Sequence, residues 1–156
     1  MKHYIDTETS EVYAYESDGS QDDFIKEGLI PISDEDLAIL RAPTPDELLA
    51  QLPLARKAQE KRGVTLKGIR YAGNPSDRQA LQEAISFMGA AGLTEFPKWK
   101  DSDNEFHADH PLVDVLEAYR AIGLQRVQLI EKESEYGSQI LAGTLTDLSN
   151  LTWLSS

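Results

Sequence analysis

The N-terminal part of the chain has short strand-like segments separated by polar stretches. Tyr4-Ile5 and Val12-Tyr13-Ala14-Tyr15 are rich in aromatic and β-branched residues, and this pattern predicts a β-hairpin. A third extended segment covers Gly28-Leu29-Ile30-Pro31-Ile32, after which Ser33 can cap a brief helix reaching Arg41. We therefore predict a β-containing arm over residues 1–42.

Two prolines mark the boundary between this arm and the rest of the chain. Pro43 disfavours helix before it, and Pro45 suits the first position of a new helix. Thr44 and Glu47 have the spacing of a capping box, and Pro53 is expected to kink or split the helix that they open. Residues 44–156 are therefore predicted to form a separate domain.

This domain contains two more hairpins, each followed by a helix. The first hairpin is predicted to turn at Lys67-Gly68, and Ser76 with Gln79 has the spacing of a capping box for the next helix. The second hairpin covers residues 96–107, and Asp109 is expected to cap a long helix after it. The pattern predicts an α+β fold, with short β-hairpins packed against several helices and the β-containing arm at the N-terminus.

The long helix is the predicted spine of the domain, over residues 111–136, and Gly137 is expected to end it. Its apolar positions keep close to helical spacing, at Leu112, Leu116, Tyr119, Ile122, Val127 and Ile130. Thr144 and Asp147 then repeat the capping-box spacing. An apolar stripe is predicted at the C-terminus, consisting of Leu145, Leu148, Leu151 and Trp153.

Charge and composition narrow the possible functions. The chain of 156 residues has a net charge of −12, and residues 1–50 contain thirteen acidic side chains against three basic ones. This charge disfavours binding to nucleic acid or anionic membranes, and an acidic front could steer a basic partner. Without a cysteine, the chain has no disulfide, thiolate metal ligand or cysteine nucleophile. It also lacks an apolar run of membrane-spanning length and a secretory signal, so we expect it to be soluble and to remain where it is made.

No motif in the sequence indicates catalysis or a cofactor. There is no Gly-x-Ser-x-Gly elbow and no glycine-rich phosphate loop, so we predict a protein that is not an enzyme and needs no cofactor. The one candidate metal cluster is His107, Asp109 and His110, and a small metal-dependent hydrolase is the enzyme alternative. We expect this cluster not to bind a metal. Asp109 is already assigned as a helix cap, and the two histidines are predicted to lie on different elements, so their side chains need not converge.

Two other groups of residues permit both a structural and a binding interpretation. The basic stretch from Arg56 to Arg62 could face an acidic ligand, but basic residues in a last helical turn also complement the helix dipole. Trp99 between Lys98 and Lys100 has the form of a base-stacking site. The net charge favours a core or interface tryptophan instead.

Residues in both parts of the chain match the pattern of a known family. In the arm they are Tyr4-Ile5-Asp6, Glu11 to Tyr15, Gly28 to Ile32 and Arg41 to Pro45. In the domain they are Gly63-Val64-Thr65, Tyr71, Ser76 to Gln79, Leu81-Gln82, Trp99, Asp103-Asn104, Phe106, Ile140 to Ala142, Thr144 to Leu148 and Trp153. On these residues nearly the whole chain resembles the tail-fibre assembly proteins of phages and prophages, including the uncharacterised C-terminal domain common to tail-fibre accessory proteins. None of these motifs is catalytic; each is a turn, a cap or a core aromatic.

The resemblance implies a non-enzymatic assembly chaperone that binds a phage tail fibre and promotes its folding or trimerisation. The implied partner is the C-terminal region of the fibre, which is expected to be a trimer, and the implied location is the host bacterial cytoplasm during assembly. The alternative is a permanent subunit on the fibre of the virion tail. The predicted partner-binding residues are the aromatic and aliphatic side chains of the arm, namely Tyr4, Tyr13, Tyr15, Phe24, Leu29, Ile30 and Ile32.

Overall fold

The structure, a computed structural model, describes residues 1–154 and has an α+β fold, as predicted. The chain divides into two compact units, Met1–Pro43 and the unit that begins at Thr44. In chain order the strands are β1 (Lys2–Ile5), β2 (Val12–Tyr15), β3 (Ile30–Ile32), β4 (Val64–Leu66), β5 (Ile69–Tyr71), β6 (Glu95–Lys100) and β7 (Phe106–Pro111). The helices are α1 (Asp34–Arg41), α2 (Pro45–Arg62), α3 (Pro75–Ala91) and α4 (Leu112–Leu141).

The first unit is a three-stranded antiparallel sheet followed by α1. The strand order is β2-β1-β3, and the predicted hairpin of β1 and β2 is confirmed, with Tyr4 opposite Tyr13. α1 begins where the sequence predicts, because the Ser33 hydroxyl accepts a hydrogen bond from the Asp36 amide at 3.0 Å. Leu37 is the buried residue of this helix.

The second unit begins with the predicted capping box. The Thr44 side chain accepts from the Glu47 amide, and the Glu47 carboxylate accepts from the Thr44 amide. α2 continues through Pro53 as one helix, so the proline does not split it. The hairpin of β4 and β5 turns at Lys67-Gly68 as predicted, with a positive φ at both residues.

Two clusters of apolar side chains form the core of the second unit, and both lie along α4. The N-terminal half of the helix packs against α3 and the first hairpin through Tyr71, Leu81, Val115, Ala118 and Ile122. The C-terminal half packs against α2 and the end of the chain through Leu48, Leu52, Leu129, Tyr136, Ile140 and Trp153. Leu145, Leu148 and Leu151 pack against this second cluster, as predicted for the C-terminal apolar stripe.

Two predicted helix starts are wrong. Asn74, not Ser76, caps α3, because its side chain accepts from the Asp77 amide at 3.1 Å and Pro75 takes the first helical position. Asp109 does not cap α4. It lies within β7, because pairing with β6 continues to Pro111 and the strand leads directly into the helix. The φ of Asp109 is 48°. His110 is likewise a strand residue rather than the start of a helix.

The predicted end of the spine and the last capping box are also wrong. α4 runs to Leu141 instead of ending at Gly137, because Tyr136 and Ile140 are both core residues and their packing outweighs the low helix propensity of glycine. No helix forms between Thr144 and Leu154. The Thr144 hydroxyl instead donates to the Gln139 carbonyl at the end of α4.

Candidate functional site

The seven predicted partner-binding residues lie in the first unit but do not form one surface. Strand register places Tyr4, Tyr13 and Tyr15 on one face of the sheet. Ile30 and Ile32 lie opposite Ile5 and His3, so they belong to the other face. Phe24 and Leu29 lie outside the strands. The structure therefore brings the three tyrosines together and separates them from the isoleucines.

We call the side of the sheet that bears Tyr4, Tyr13 and Tyr15 the tyrosine face. Tyr4 and Tyr15 meet edge to face, with 5.6 Å between the ring centroids. The Lys26 ammonium lies 4.4 Å from the centre of the Tyr13 ring, and its hydrogen bond with the Tyr13 hydroxyl raises the pKa of Lys26. These contacts fix the orientation of the rings, and all three tyrosines remain partly exposed.

The other four predicted partner-binding side chains differ in how much apolar surface they expose to water. Phe24 is 74% exposed and Ile30 is 52% exposed, whereas Leu29 and Ile32 are half-buried. Ile39 and Leu40 of α1 are also exposed, and sequence reasoning did not select them. A signal was present for Ile39, because a residue two positions after the buried Leu37 points to the opposite side of the helix.

The sheet also has two outer strands, β2 and β3. Pro31 in β3 has no amide hydrogen to donate, and a proline at an edge discourages the addition of another strand. β2 contains no proline. It is therefore the edge at which a strand from another chain can best continue the sheet.

Negative charge dominates the sequence of this unit. Residues 1–43 contain eleven Asp and Glu residues against Lys2, Lys26 and Arg41. Lys2 is paired with Asp22 at 2.7 Å, and Lys26 is held by Tyr13. Backbone amides of Glu8 and Thr9 lower the pKa of Asp6, which keeps that carboxylate charged. Charge of this sign favours approach of a basic partner.

A polar cluster lies within the aromatic part of the second unit. The Tyr71 hydroxyl and His110 Nε2 lie 2.7 Å apart, and both side chains are buried. Burial raises the pKa of Tyr71 to about 12 and lowers the pKa of His110, so both groups are held neutral. The His110 ring stacks on Trp99, which packs against the core, as the structural interpretation of Trp99 predicted.

Asp101 organises the turn between β6 and β7. Its carboxylate accepts from His107 Nε2 at 2.9 Å and from the amides of Asp103 and Glu105, and the His107 bond contributes most to lowering the pKa of Asp101. Beside this turn is a cavity of about 280 Å³, whose lining includes Tyr71 and Trp99. The buried Trp99 Nε1 in this lining has no hydrogen-bond partner within residues 1–154.

The rings of His107 and His110 lie on the same strand with 6.1 Å between their centroids, but each is bonded to another side chain. Asp109 is exposed on β7 between His107, which binds Asp101, and His110, which binds Tyr71. Across the described part of the chain, no group of three His, Asp or Glu side chains is arranged to hold a metal ion. None of the helices described is long and apolar enough to cross a membrane.

A buried ion-pair network joins α2, α3 and α4, and sequence reasoning did not find it. The Glu60 carboxylate is surrounded by Arg56, Arg78 and Arg126, and Arg56 also pairs with Glu133 of α4. Arg56 is therefore engaged by carboxylates of its own chain, whereas Lys57, Lys61 and Arg62 of the same basic stretch are exposed. The periodicity of α2 does not show that Glu60 is buried. Without that information the sequence does not reveal the network.

A protein-family model matches most of this chain. The family model described as "Domain of unknown function (DUF4376)" matches residues 43–151. Comparisons with curated proteins and with solved structures gave no match. The matched residues cover more than two thirds of the chain, including α2, α3, α4 and both hairpins between them. The chain therefore belongs to the DUF4376 family, and the match includes almost all of the unit that begins at Thr44.

Proposed function

We propose that this protein is a non-enzymatic bacteriophage tail-fibre assembly chaperone that binds the fibre and promotes its folding or trimerisation. The resemblance of the whole sequence to tail-fibre assembly proteins suggests this role. The observation that carries the proposal is the first unit, which combines exposed apolar side chains with an unpaired strand edge at β2. Both features suit a protein that binds partly folded β structure.

The physical need for such a chaperone comes from the fibre. Long β-rich trimers form through non-local contacts, so their chains assemble slowly and expose apolar surface and strand edges while they do so. The exposed Phe24 and Ile30 would cover apolar surface on the C-terminal region of the fibre, and β2 would pair with a free strand. The acidic charge of residues 1–43 would favour a basic region of the fibre chain. This mechanism requires no nucleotide or metal and takes place in the host cytoplasm.

The test is co-expression of the fibre chain with this protein and its variants. The fraction of soluble, trimeric fibre is measured by size-exclusion chromatography and by native gel electrophoresis. Replacement of Phe24 by Ser should lower the trimer yield several-fold, because it removes an exposed apolar anchor. Phe87→Ser is the matched control, since Phe87 is 67% exposed but lies on α3 in the second unit.

Two results would contradict the proposal. One is a fibre that is equally soluble and trimeric without this protein; the other is an equal loss of trimer with both phenylalanine variants. Purified virions distinguish the two fibre-related roles. A chaperone is absent from them, whereas a permanent tail subunit is present at a fixed stoichiometry relative to the fibre.

A further inference from the structure

An open groove of about 960 Å³ runs between α3 and α4 in the second unit. Helix α3 contributes polar side chains that recur every three or four residues from Pro75 to Ser86. From α4 come Tyr119, Arg120, Gly123 and Arg126. This surface belongs to the DUF4376 domain and is separate from the residues assigned above to fibre binding.

The groove is basic although the chain is strongly acidic. Three guanidinium groups line it, those of Arg78, Arg120 and Arg126. The nearby carboxylates are those of Glu83 in the lining and of Glu60, which contacts Arg78 and Arg126 and is shared with Arg56. Arg120 is exposed and has no ion pair within residues 1–154. A cationic groove in a chain of net charge −12 is the most distinctive electrostatic feature of this unit.

The buried network described above holds two of these arginines in place. Glu60 lies 3.5 Å from Arg78 Nη1 and 3.4 Å from Arg126 Nε. Arg78 Nη1 also donates to the Gly73 carbonyl at 2.5 Å. The contact with Glu60 involves the Nε atom of Arg126, and the side chain of that residue is 47% exposed. The terminal nitrogens of Arg126 are thus available to a carboxylate while its stem is positioned from below.

Gly123 faces open space in the groove. It lies on α4 between Arg120 and Arg126, three residues from each, and a Cβ atom at this position would meet no other atom within 4 Å. The α3 side of the groove, from Pro75 to Ser86, is about 16 Å long at the helical rise per residue. An extended peptide of about five residues has the same length.

We propose that this groove binds an acidic, extended segment of a partner polypeptide. Arginine forks bind carboxylates, and Gln82 has no side-chain hydrogen bond within residues 1–154, so its amide is available to a peptide backbone. A nucleic-acid strand fits less well, because the groove has one aromatic side chain, Tyr119, for base stacking, and the net charge repels repeated phosphates. The proposal does not depend on the fibre-chaperone role.

The experiment uses the full chain and a fluorescein-labelled hexaglutamate peptide, with binding followed by fluorescence polarisation at low salt. Hexaglutamine and a short labelled oligothymidylate are run beside it. We expect hexaglutamate to bind, hexaglutamine to bind at least about tenfold more weakly, and the affinity to fall as salt screens the charges. Arg120→Glu should weaken hexaglutamate binding about tenfold or more. Lys98→Glu makes the same charge change on an exposed residue of β6 outside the groove and should change the affinity less than about twofold.

A second pair of variants tests the position of the site without changing charge. Gly123→Trp fills the groove and should weaken binding about tenfold, whereas Gly89→Trp places the same side chain in open space on α3, outside the groove. Each variant is checked by circular dichroism to have the wild-type fold. The proposal fails if hexaglutamate does not bind, if Lys98→Glu weakens binding as much as Arg120→Glu, or if both tryptophan variants bind like the wild type. Tighter binding of oligothymidylate than of hexaglutamate would identify a nucleic-acid site instead.

Discussion

Gly73 offers a strict test of the packing in the second unit. It follows β5 and lies against the end of α2, and a Cβ atom built on it would be 2.2 Å from the Glu60 carbonyl oxygen and 3.1 Å from Gly63 Cα. Its φ is not in the left-handed region, so the backbone conformation itself permits alanine. The lack of space for a Cβ atom is therefore the reason to expect that Gly73→Ala destabilises the protein. The obstructing atoms belong to the backbone and cannot be moved by a rotamer change.

The expected loss of stability follows from these distances. A contact of 2.2 Å must lengthen by roughly 1 Å to become tolerable, which requires movement of the α2 terminus or the segment after β5, and overpacking of this kind costs about 1–3 kcal/mol. Alanine also reduces the entropy of the unfolded chain, which returns about 0.4–1 kcal/mol. We expect Gly73→Ala to lower the free energy of unfolding by about 1–2 kcal/mol.

Gly89→Ala is the matched control. Gly89 lies inside α3, and a Cβ atom there would meet nothing within 4 Å, so alanine should raise the free energy of unfolding by about 0.5–1 kcal/mol. Both variants are compared with the wild type by urea unfolding, followed by the fluorescence of Trp99 and Trp153. Both tryptophans belong to the second unit and therefore report on it. If Gly73→Ala is as stable as Gly89→Ala, the close approach of α2 and the segment after β5 is wrong.

Three further predictions concern buried groups of the second unit. Glu60→Gln should lower the free energy of unfolding by about 2 kcal/mol, because three arginines lose their shared carboxylate in a largely buried site. Glu83→Gln, at an exposed position, should change it by less than about 0.5 kcal/mol. Tyrosinate absorbance titrated in the wild type and in Tyr71→Phe should differ by a group with a pKa of about 12. Because this value lies above the ordinary value of 10.0, the free energy of unfolding should fall as the pH rises between the two, and Tyr71→Phe should lack this contribution. Leu129→Ala should lower the free energy of unfolding by about 3 kcal/mol in urea, since Leu129 is fully buried, and an equal loss in Leu124→Ala, at an exposed position of the same helix, would contradict the assignment of the buried face.

The partner-binding prediction illustrates how far sequence reasoning reached. Alternation along β2 is enough to put Tyr13 and Tyr15 on one face, and the structure adds Tyr4 to it. The seven residues could not be sorted into surfaces from the sequence, because the pairing of β3 with β1 joins segments separated by more than twenty residues. That pairing places Ile30 and Ile32 on the opposite face.

The starts of α1 and α2 and the turn between β4 and β5 were the features that the sequence determined by itself. Ser33, the Thr44–Glu47 capping box and the Lys67-Gly68 turn are all found as predicted, because each depends on hydrogen bonds and dihedral angles within a few residues. Local signals still competed at α3 and α4. Asn74 took the capping position from Ser76, and pairing with β6 on both sides of Asp109 kept that residue within β7.

Only the tertiary structure decided which face of α4 is buried. Val127 and Ile130 fit a helical stripe as well as Leu129 does, yet they are exposed and Leu129 is fully buried. Their hydrophobicity is similar, so the choice depends on where α2 and α3 contact the helix. The same contacts bring Glu60 to three arginines and leave the groove of Gly123 open. These arrangements join distant parts of the chain, and no local pattern of residues encodes them.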